Sequence, residues 1–181
     1  VYRVEGNLDQ AIQESEEAVK DNPNYGEAWR LLGEWYTQAG RYPEAEKALL
    51  KALDVKPTEL GLFRAFLYLY SRQGNKKKVE EYFNQGIEIQ PTNADVYTAM
   101  SFHLSFWGEL EEAKRMAYKA LSLDPLSSGV RSAPARLMQI FLITGQADSA
   151  SHYLDRERQN NPGRELFLEM GYLAQMRGEK R

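Results

Sequence analysis

Proline and glycine recur in this 181-residue chain at one fixed interval. The regularly spaced prolines are Pro23, Pro57, Pro91 and Pro125, each 34 residues after the last. The glycines with the same 34-residue interval are Gly6, Gly40, Gly74 and Gly108, followed by Gly145 and Gly178 at 37 and 33 residues. Because both residue types interrupt regular backbone hydrogen bonding, a shared interval predicts a tandem repeat of short structural elements.

Apolar residues between these interruptions are spaced as on one face of a helix. Trp29, Leu32 and Tyr36 precede one of the glycines, and Ala45 and Leu49 follow it. Glycine suits the left-handed residue that ends a helix, and proline cannot continue the hydrogen bonding of a second helix. Each interval therefore predicts two helices joined by a tight turn.

One interval carries the residues of a known repeat. The matching residues are Trp29, Leu32, Gly33, Tyr36, Ala45, Ala52 and Pro57, with Leu49 in the position usually held by Phe. Their order and spacing resemble the tetratricopeptide repeat, and the other intervals carry variants of the same pattern. The resemblance covers essentially the whole chain. It implies an all-α fold, an α-solenoid in which helix-turn-helix hairpins stack into a right-handed superhelix.

We expect one array of repeats over residues 1–181. Its predicted parts are a partial repeat at 1–23, regular repeats at 24–57, 58–91 and 92–125, an irregular repeat with an insertion at 126–162, and a partial repeat at 163–181. The first part predicts a hairpin turn at Gly6, and the last predicts a first helix without its partner. Because that last helix is too apolar to face water on any side, we expect a fragment of a longer protein or an end covered by a partner.

The irregular repeat departs most from the pattern. Residues 126–130 stand where earlier repeats have two residues, and Glu157 and Arg158 replace an apolar pair. Pro134 fits the first turn of a helix, with Ser132 as its N-cap. The alternative interpretation is a bend that reshapes a binding surface, since insertions in repeats often fall on such a face.

Composition and residue spacing argue against several classes of function. The chain has no cysteine, which excludes disulfides, thiolate metal sites and cysteine nucleophiles, and its formal net charge of −3 disfavours nucleic-acid binding. No stretch approaches the roughly 18 apolar residues of a membrane span, so we expect no membrane insertion. His103 and His152 lie in different repeats without carboxylates at ligand spacing, and we expect them on the surface. We predict no cofactor, no metal and no catalytic activity.

The family resemblance implies that the first helix of each repeat lines a concave surface where peptides bind. Periodicity then indicates which positions of these helices are not used for packing. The candidates are Arg30, Glu34, Gln38, Arg64, Tyr68, Arg72, Thr98, Phe102, Phe106, Arg136 and Gln139. The arginines favour a carboxylate and the aromatic residues an apolar anchor. The predicted partner is therefore a protein or peptide, either acidic or ending in a C-terminal carboxylate.

Several interpretations of function stay open at this stage. The first is a non-catalytic protein-interaction scaffold that binds its partner in the concave groove. The alternatives are a regulatory or sensor module that controls an attached transcription or signalling domain, and a self-assembly segment whose apolar ends form a homo-oligomer. The candidate residues could also simply solvate an unused face. The sequence does not determine localisation, although the cytoplasm is favoured over the periplasm.

Overall fold

The computed structural model describes residues 2–126, 132–160, 162 and 167–178, with the side chains of all but 2–6, 60, 167 and 168. These residues contain helices and turns and no strand. The helices are α1 (Tyr2–Asp21), α2 (Gly26–Gln38), α3 (Tyr42–Val55), α4 (Leu60–Arg72), α5 (Lys76–Ile89), α6 (Ala94–Phe106), α7 (Leu110–Leu123), α8 (Ala133–Ile143), α9 (Ala147–Asn160) and α10 (Phe167–Met176). They form two compact units, unit 1 at residues 1–91 and unit 2 at residues 92–181.

Glycines with a left-handed backbone end the first helices of the hairpins. These glycines are Gly40, Gly74, Gly108, Gly145 and Gly178, with φ between 69° and 80°. In the first of these turns, the amide of Gly40 donates to the Thr37 carbonyl at 3.1 Å and the amide of Arg41 donates to the Tyr36 carbonyl at 2.8 Å. The turn thus satisfies carbonyls at the end of α2, in a conformation that costs residues with a Cβ about 1–2 kcal/mol.

Gly6 does not form such a turn, so the prediction of a hairpin there is wrong. α1 runs unbroken from Tyr2 to Asp21 and Gly6 lies within it. Residues 2–5 make about one helical turn, which is too short to pack as a helix of its own. Continuing the helix through the glycine keeps the backbone hydrogen bonds and costs only about 1 kcal/mol relative to alanine.

The five helices of unit 1 enclose an apolar interior. Its largest fully buried side chains are Leu49, Leu62, Phe63, Phe66, Leu67, Leu69, Tyr70 and Val79. The close approach of α2 and α3 depends on Gly33, because a Cβ at this position would lie 2.5 Å from Leu49 Cδ2. Leu49 has no solvent-exposed surface and therefore no free space to move into. A larger residue at position 33 would push the two helices apart.

Two tyrosines connect the first helix of a hairpin in unit 1 to the helix that precedes it. The Tyr36 hydroxyl donates to Glu16 on α1, and the Tyr70 hydroxyl donates to Glu46 on α3 at 2.7 Å. Lys78 Nζ lies 2.7 Å from the same Glu46 oxygen and 4.4 Å from the centre of the Tyr70 ring. Burial and the hydrogen bond to Glu16 raise the pKa of Tyr36 to about 12, so its hydroxyl remains a donor. These contacts fix α2 against α1 and α4 against α3.

α8 begins as the sequence predicts. The Ser132 side chain accepts a hydrogen bond from the Ala135 amide at 3.2 Å, and Pro134 lies in the first turn of the helix. Ser132 Oγ also donates to Glu157 at 2.6 Å, and Glu157 is fully buried. The carboxyl group that replaces an apolar residue of the repeat therefore lies inside unit 2, where it accepts a hydrogen bond from the residue that caps α8. The bend predicted for residues 126–130 lies outside the described residues, except for Leu126.

His103 is buried, so the expectation that it lies on the surface is wrong. Its side chain is 4% exposed, and its ring lies 5.2 Å from the ring of Phe102 and 6.5 Å from that of Trp107. Among the described residues, its Nδ1 is a buried atom without a hydrogen-bond partner. Burial, together with the charge of Arg136, lowers the pKa of His103 to about 4 and keeps the imidazole neutral. His152 is exposed, as expected.

Candidate peptide-binding surface

Five side chains lie on one side of α6 and α8 in unit 2. They are Phe102 and Phe106 on α6, and Arg136, Gln139 and Ile143 on α8. Within each helix they recur at three- or four-residue intervals, which places them on one helical face. The guanidinium carbon of Arg136 lies 5.1 Å from the centre of the Phe102 ring, so the two helices meet at this contact. We call this set the α6–α8 face.

The α6–α8 face exposes large apolar groups. Phe106 is 72% exposed, Ile143 is 63% exposed and Phe102 is 45% exposed. Single exposed apolar residues are ordinary on protein surfaces. Here three of them lie on two helices that meet, and an arginine stacks on one of their rings.

The candidate residues of unit 1 form a different kind of surface, centred on Arg30. Its guanidinium makes ion pairs with Glu27, Glu34 and Glu59, the last with Nε and Oε1 3.4 Å apart, and its side chain is only 12% exposed. The hydrogen bond from Arg30 lowers the pKa of Glu27 to about 2, whereas burial beside Glu27 raises the pKa of Glu59. Three carboxyl groups share one arginine, so this part of unit 1 is not basic.

The other candidates of unit 1 extend along α2 and α4. Gln38 and Arg72 are exposed, and Arg64 and Tyr68 are half-buried. Arg72 Nη1 lies 3.5 Å from the Tyr68 hydroxyl, one helical turn away. These side chains provide polar and aromatic groups on unit 1.

Thr98 in unit 2 is buried and does not contribute to the α6–α8 face. Its hydroxyl donates to the Ala94 carbonyl at 2.9 Å within α6. Sequence reasoning also missed the buried position of His103 and the contact from Glu59 to Arg30. The burial of His103 could have been predicted, since this residue follows the buried residue Met100 by three positions and so lies on the same side of α6. No comparable signal in the sequence connects Glu59 with Arg30.

Within the described ranges, no three His, Asp or Glu residues are grouped so that they could hold a metal ion. None of the helices in those ranges is long and apolar enough to cross a membrane. The α6–α8 face provides two aromatic rings, an aliphatic side chain, an amide and one guanidinium, which are groups that can bind another molecule non-covalently.

Comparison with known proteins identifies the repeat. Tetratricopeptide repeat models match residues 4–67 and 65–93. No curated protein matches the chain in sequence. The chain resembles the structure of TTC0263, a tetratricopeptide repeat protein of Thermus thermophilus, with a TM-score of 0.75 and 19% identity over 96% of this chain and 92% of that one.

Two further structures have the same fold. PilW, a widely conserved type IV pilus biogenesis factor, gives a TM-score of 0.73 at 19% identity and covers 98% of this chain and 82% of its own. YrrB, a tetratricopeptide repeat protein with an unusual peptide-binding site, gives 0.56 at 18% identity and covers 93% and 84%. The prediction of an all-α helical-repeat solenoid is confirmed, and the chain belongs to the tetratricopeptide repeat family.

Proposed function

We propose that this protein is a non-catalytic interaction scaffold that captures a peptide segment of a partner protein on its α6–α8 face. Tetratricopeptide repeats generally act as protein-interaction modules. The observation that carries the proposal is the exposure of Phe102 and Phe106 on α6 and of Ile143 on α8, two helices that meet at the contact of Arg136 with Phe102. YrrB, which shares the fold, is described as having a peptide-binding site, and this supports peptide capture as the class of function.

The exposed apolar groups of this face contribute little to folding but can contribute to binding. A large apolar side chain that becomes fully buried stabilises a complex by about 1.5–3 kcal/mol. Phe106 and Ile143 retain most of their accessible surface in the folded chain, so most of this contribution is still available to a partner. Phe102, held by Arg136, would present a ring in a fixed orientation, as interface hot spots require.

The unit 1 candidates have a secondary role in this proposal. Arg30 is engaged by three carboxyl groups, so it is a poor choice for a peptide carboxylate. Within unit 1, Gln38, Tyr68 and Arg72 have accessible polar groups. We therefore assign the apolar anchor to unit 2 and leave unit 1 as a polar surface.

Selection from a random peptide library on the immobilised chain tests this proposal. Enriched peptides should bind the parent protein and lose at least about tenfold in affinity with Phe106→Asp, because the anchor then meets a charge instead of an aromatic ring. Leu50→Asp is the matched control, since Leu50 is 42% exposed on the second helix of a hairpin in unit 1. This control variant should bind like the parent.

Two results would contradict the proposal. Either no peptide is enriched, or the Phe106→Asp variant binds the enriched peptides as tightly as the parent. Light scattering over a range of concentrations separates a third case, because a mass that rises with concentration in the parent and not in Phe106→Asp would indicate self-assembly. The variant should remain folded, with a change in the free energy of unfolding below about 0.5 kcal/mol for so exposed a residue.

A further inference from the structure

α10 repeats the positions that form the α6–α8 face. The helices α6, α8 and α10 are followed by Gly108, Gly145 and Gly178, whose backbones are left-handed. All members of the face except Arg136 stand either two or six residues before one of these glycines. The residues two positions before the glycines are Phe106, Ile143 and Met176, and those six positions before them are Phe102, Gln139 and Tyr172. Tyr172 and Met176 therefore occupy on α10 the positions that form the face on α6 and α8.

Burial supports this equivalence of the three helices. The residues five positions before the glycines are His103, Ile140 and Leu173, and all of them are buried. Leu173 belongs to the apolar cluster that contains Leu137 and Met138 of α8. Because the same position is buried on each helix, Tyr172 points to the same side of α10 as Phe102 does on α6.

The side chains at these positions are accessible on α10 as they are on α6 and α8. Tyr172 is 61% exposed, compared with 72% for Phe106 and 63% for Ile143, and Met176 is half-buried. Phe106 keeps its exposure although α8 packs beside α6, so a neighbouring first helix does not cover this side. The α6–α8 face thus continues onto α10. We call Tyr172 and Met176 the α10 extension.

The packing of the helices sets the distance between the apolar groups that they present. Packed helices lie about 8–10 Å apart, so side chains at equivalent positions of α6, α8 and α10 recur at about this interval. A polyproline II segment makes one turn in three residues and rises about 3.1 Å per residue, so every third side chain points the same way about 9 Å further on. In a β-strand, the residue three positions on points to the opposite face.

The chemistry of these positions favours apolar side chains on the partner. Phe102, Phe106, Ile143, Tyr172 and Met176 carry no charge. A charged group that is buried against them would lose its water without gaining an oppositely charged partner. An apolar group would instead remove both surfaces from water.

We infer that the α6–α8 face and the α10 extension together recognise a partner segment in the polyproline II conformation that carries a large apolar side chain at every third position. Each of the three helices contacts one of these side chains with its two residues at the equivalent positions. The inference rests on the proposed function of the α6–α8 face. It adds α10 to the surface and specifies the class of segment that binds.

Synthetic eighteen-residue peptides with both ends blocked test the inference. Each carries three Leu residues in an Ala/Gln background, spaced by two, three or seven positions, and NMR titration of the full chain measures the dissociation constants. The peptide with a spacing of three should bind several-fold more tightly than the other two. Replacing the residues between its Leu side chains by Pro should tighten binding further, because the polyproline II conformation is then formed in advance.

Substitutions on α10 test whether this helix takes part. Tyr172→Asp should weaken binding of the three-Leu peptide about tenfold, to the affinity that the parent has for a peptide with only two of the Leu residues. Tyr172→Ser, which removes the ring without adding a charge, should cause a smaller loss in the same direction. Met170→Asp is the matched control, because Met170 is 40% exposed on the same helix and points to a different side. This variant should bind like the parent, and the amide spectrum of each variant shows whether unit 2 remains folded.

The outcomes separate this inference from the proposed function. If Leu peptides bind and Phe106→Asp weakens them, but Tyr172→Asp does not or all spacings bind equally, the proposed function stands and the inference is wrong. Tightest binding at a spacing of seven, or weaker binding after the Pro replacements, would indicate a helical partner and would also overturn the inference. If no peptide binds to the parent, both fail.

Discussion

Unit 1 and unit 2 differ in the kind of polar group that they bury and in how far they expose large apolar side chains. The interior of unit 1 is built from leucine and aromatic side chains, and its exposed first-helix surface carries Arg30 among three carboxyl groups. Unit 2 buries His103 and Glu157 and exposes Phe106 and Ile143. Both units are built from the same kind of hairpin. The repeat thus determines which positions pack, but not the chemistry of the residues that occupy them.

This difference suggests different roles for the two units. A buried polar group stabilises a fold less than a well-packed apolar one unless all its hydrogen bonds are made, and an exposed aromatic group contributes little to folding. Unit 2 buries an imidazole and a carboxyl group and exposes Phe106 by 72%, whereas the described part of unit 1 buries the smaller hydroxyls of Thr37 and Ser71 and exposes no large apolar side chain to that extent. Exposed aromatic residues that add little to folding stability are typical of surfaces retained for binding.

The first prediction concerns the buried carboxyl group of unit 2. Glu157→Ala should lower the free energy of unfolding by about 2–4 kcal/mol, because it leaves a cavity and removes the acceptor of the Ser132 hydroxyl, which also caps α8. Urea denaturation followed by circular dichroism measures the change. Asp155→Ala, an exposed change on the same helix, should cost less than about 0.5 kcal/mol. Equal losses in both variants would show that Glu157 has no special role in unit 2.

The second prediction concerns the buried histidine of unit 2. Its pKa is about 4 in the folded chain and 6.5 in the unfolded chain, so the unfolded state takes up a proton first as the pH falls. The free energy of unfolding should therefore decrease by about 2–3 kcal/mol between pH 7 and pH 4. Glu27 in unit 1 has a pKa of about 2 in the folded chain and 4.5 in the unfolded chain. The stability that it contributes is therefore lost mainly as the pH falls from about 4.5 toward 2, below most of the range in which His103 acts.

Substitution of each histidine isolates this effect. His103→Gln, which cannot titrate, should flatten the decrease in stability between pH 7 and pH 4, measured by urea denaturation at each pH. His152→Gln should leave the pH dependence of the parent in place, because His152 is exposed. An unchanged pH profile in His103→Gln would mean that the imidazole is not held neutral by its surroundings.

The smallest effect is expected for the charged surface of unit 1. Arg30→Ala should lower the free energy of unfolding by about 1 kcal/mol, since Glu27, Glu34 and Glu59 then repel one another while water screens most of the repulsion. The loss should shrink in high salt. Arg41→Ala, which removes an exposed pair with Glu44, should change stability by less than about 0.5 kcal/mol. A loss independent of salt would indicate that Arg30 acts through packing.

Local features of the fold could be predicted from the sequence, and features that depend on distant residues could not. The turn at Gly40 and the cap at Ser132 depend on a few neighbouring residues, and both predictions are confirmed. The turn predicted at Gly6 is wrong because the interval alone does not show whether a packed helix precedes the glycine. The repeat family followed from the spacing of Pro and Gly and from the residues of one interval.

The candidate surface could be predicted only in part. Periodicity correctly indicated that Phe102 and Phe106 point away from the packed side of α6. It could not show that Arg30 meets Glu59, which is 29 positions further along the chain, or that Thr98 turns its hydroxyl to its own helix. A helical period gives the direction of a side chain, whereas its partners depend on how neighbouring helices pack.

The turn glycines have a consequence for stereochemistry. At Gly108 the backbone has φ of 80°, and a Cβ in the L configuration would meet no described residue other than its two chain neighbours within 4 Å. An L-alanine would thus have ample room for its methyl group and still be strained, because the backbone has the handedness that L-residues avoid. A D-residue prefers this same handedness. The turn therefore selects its residue by chirality rather than by size, and glycine is accepted there because it is achiral.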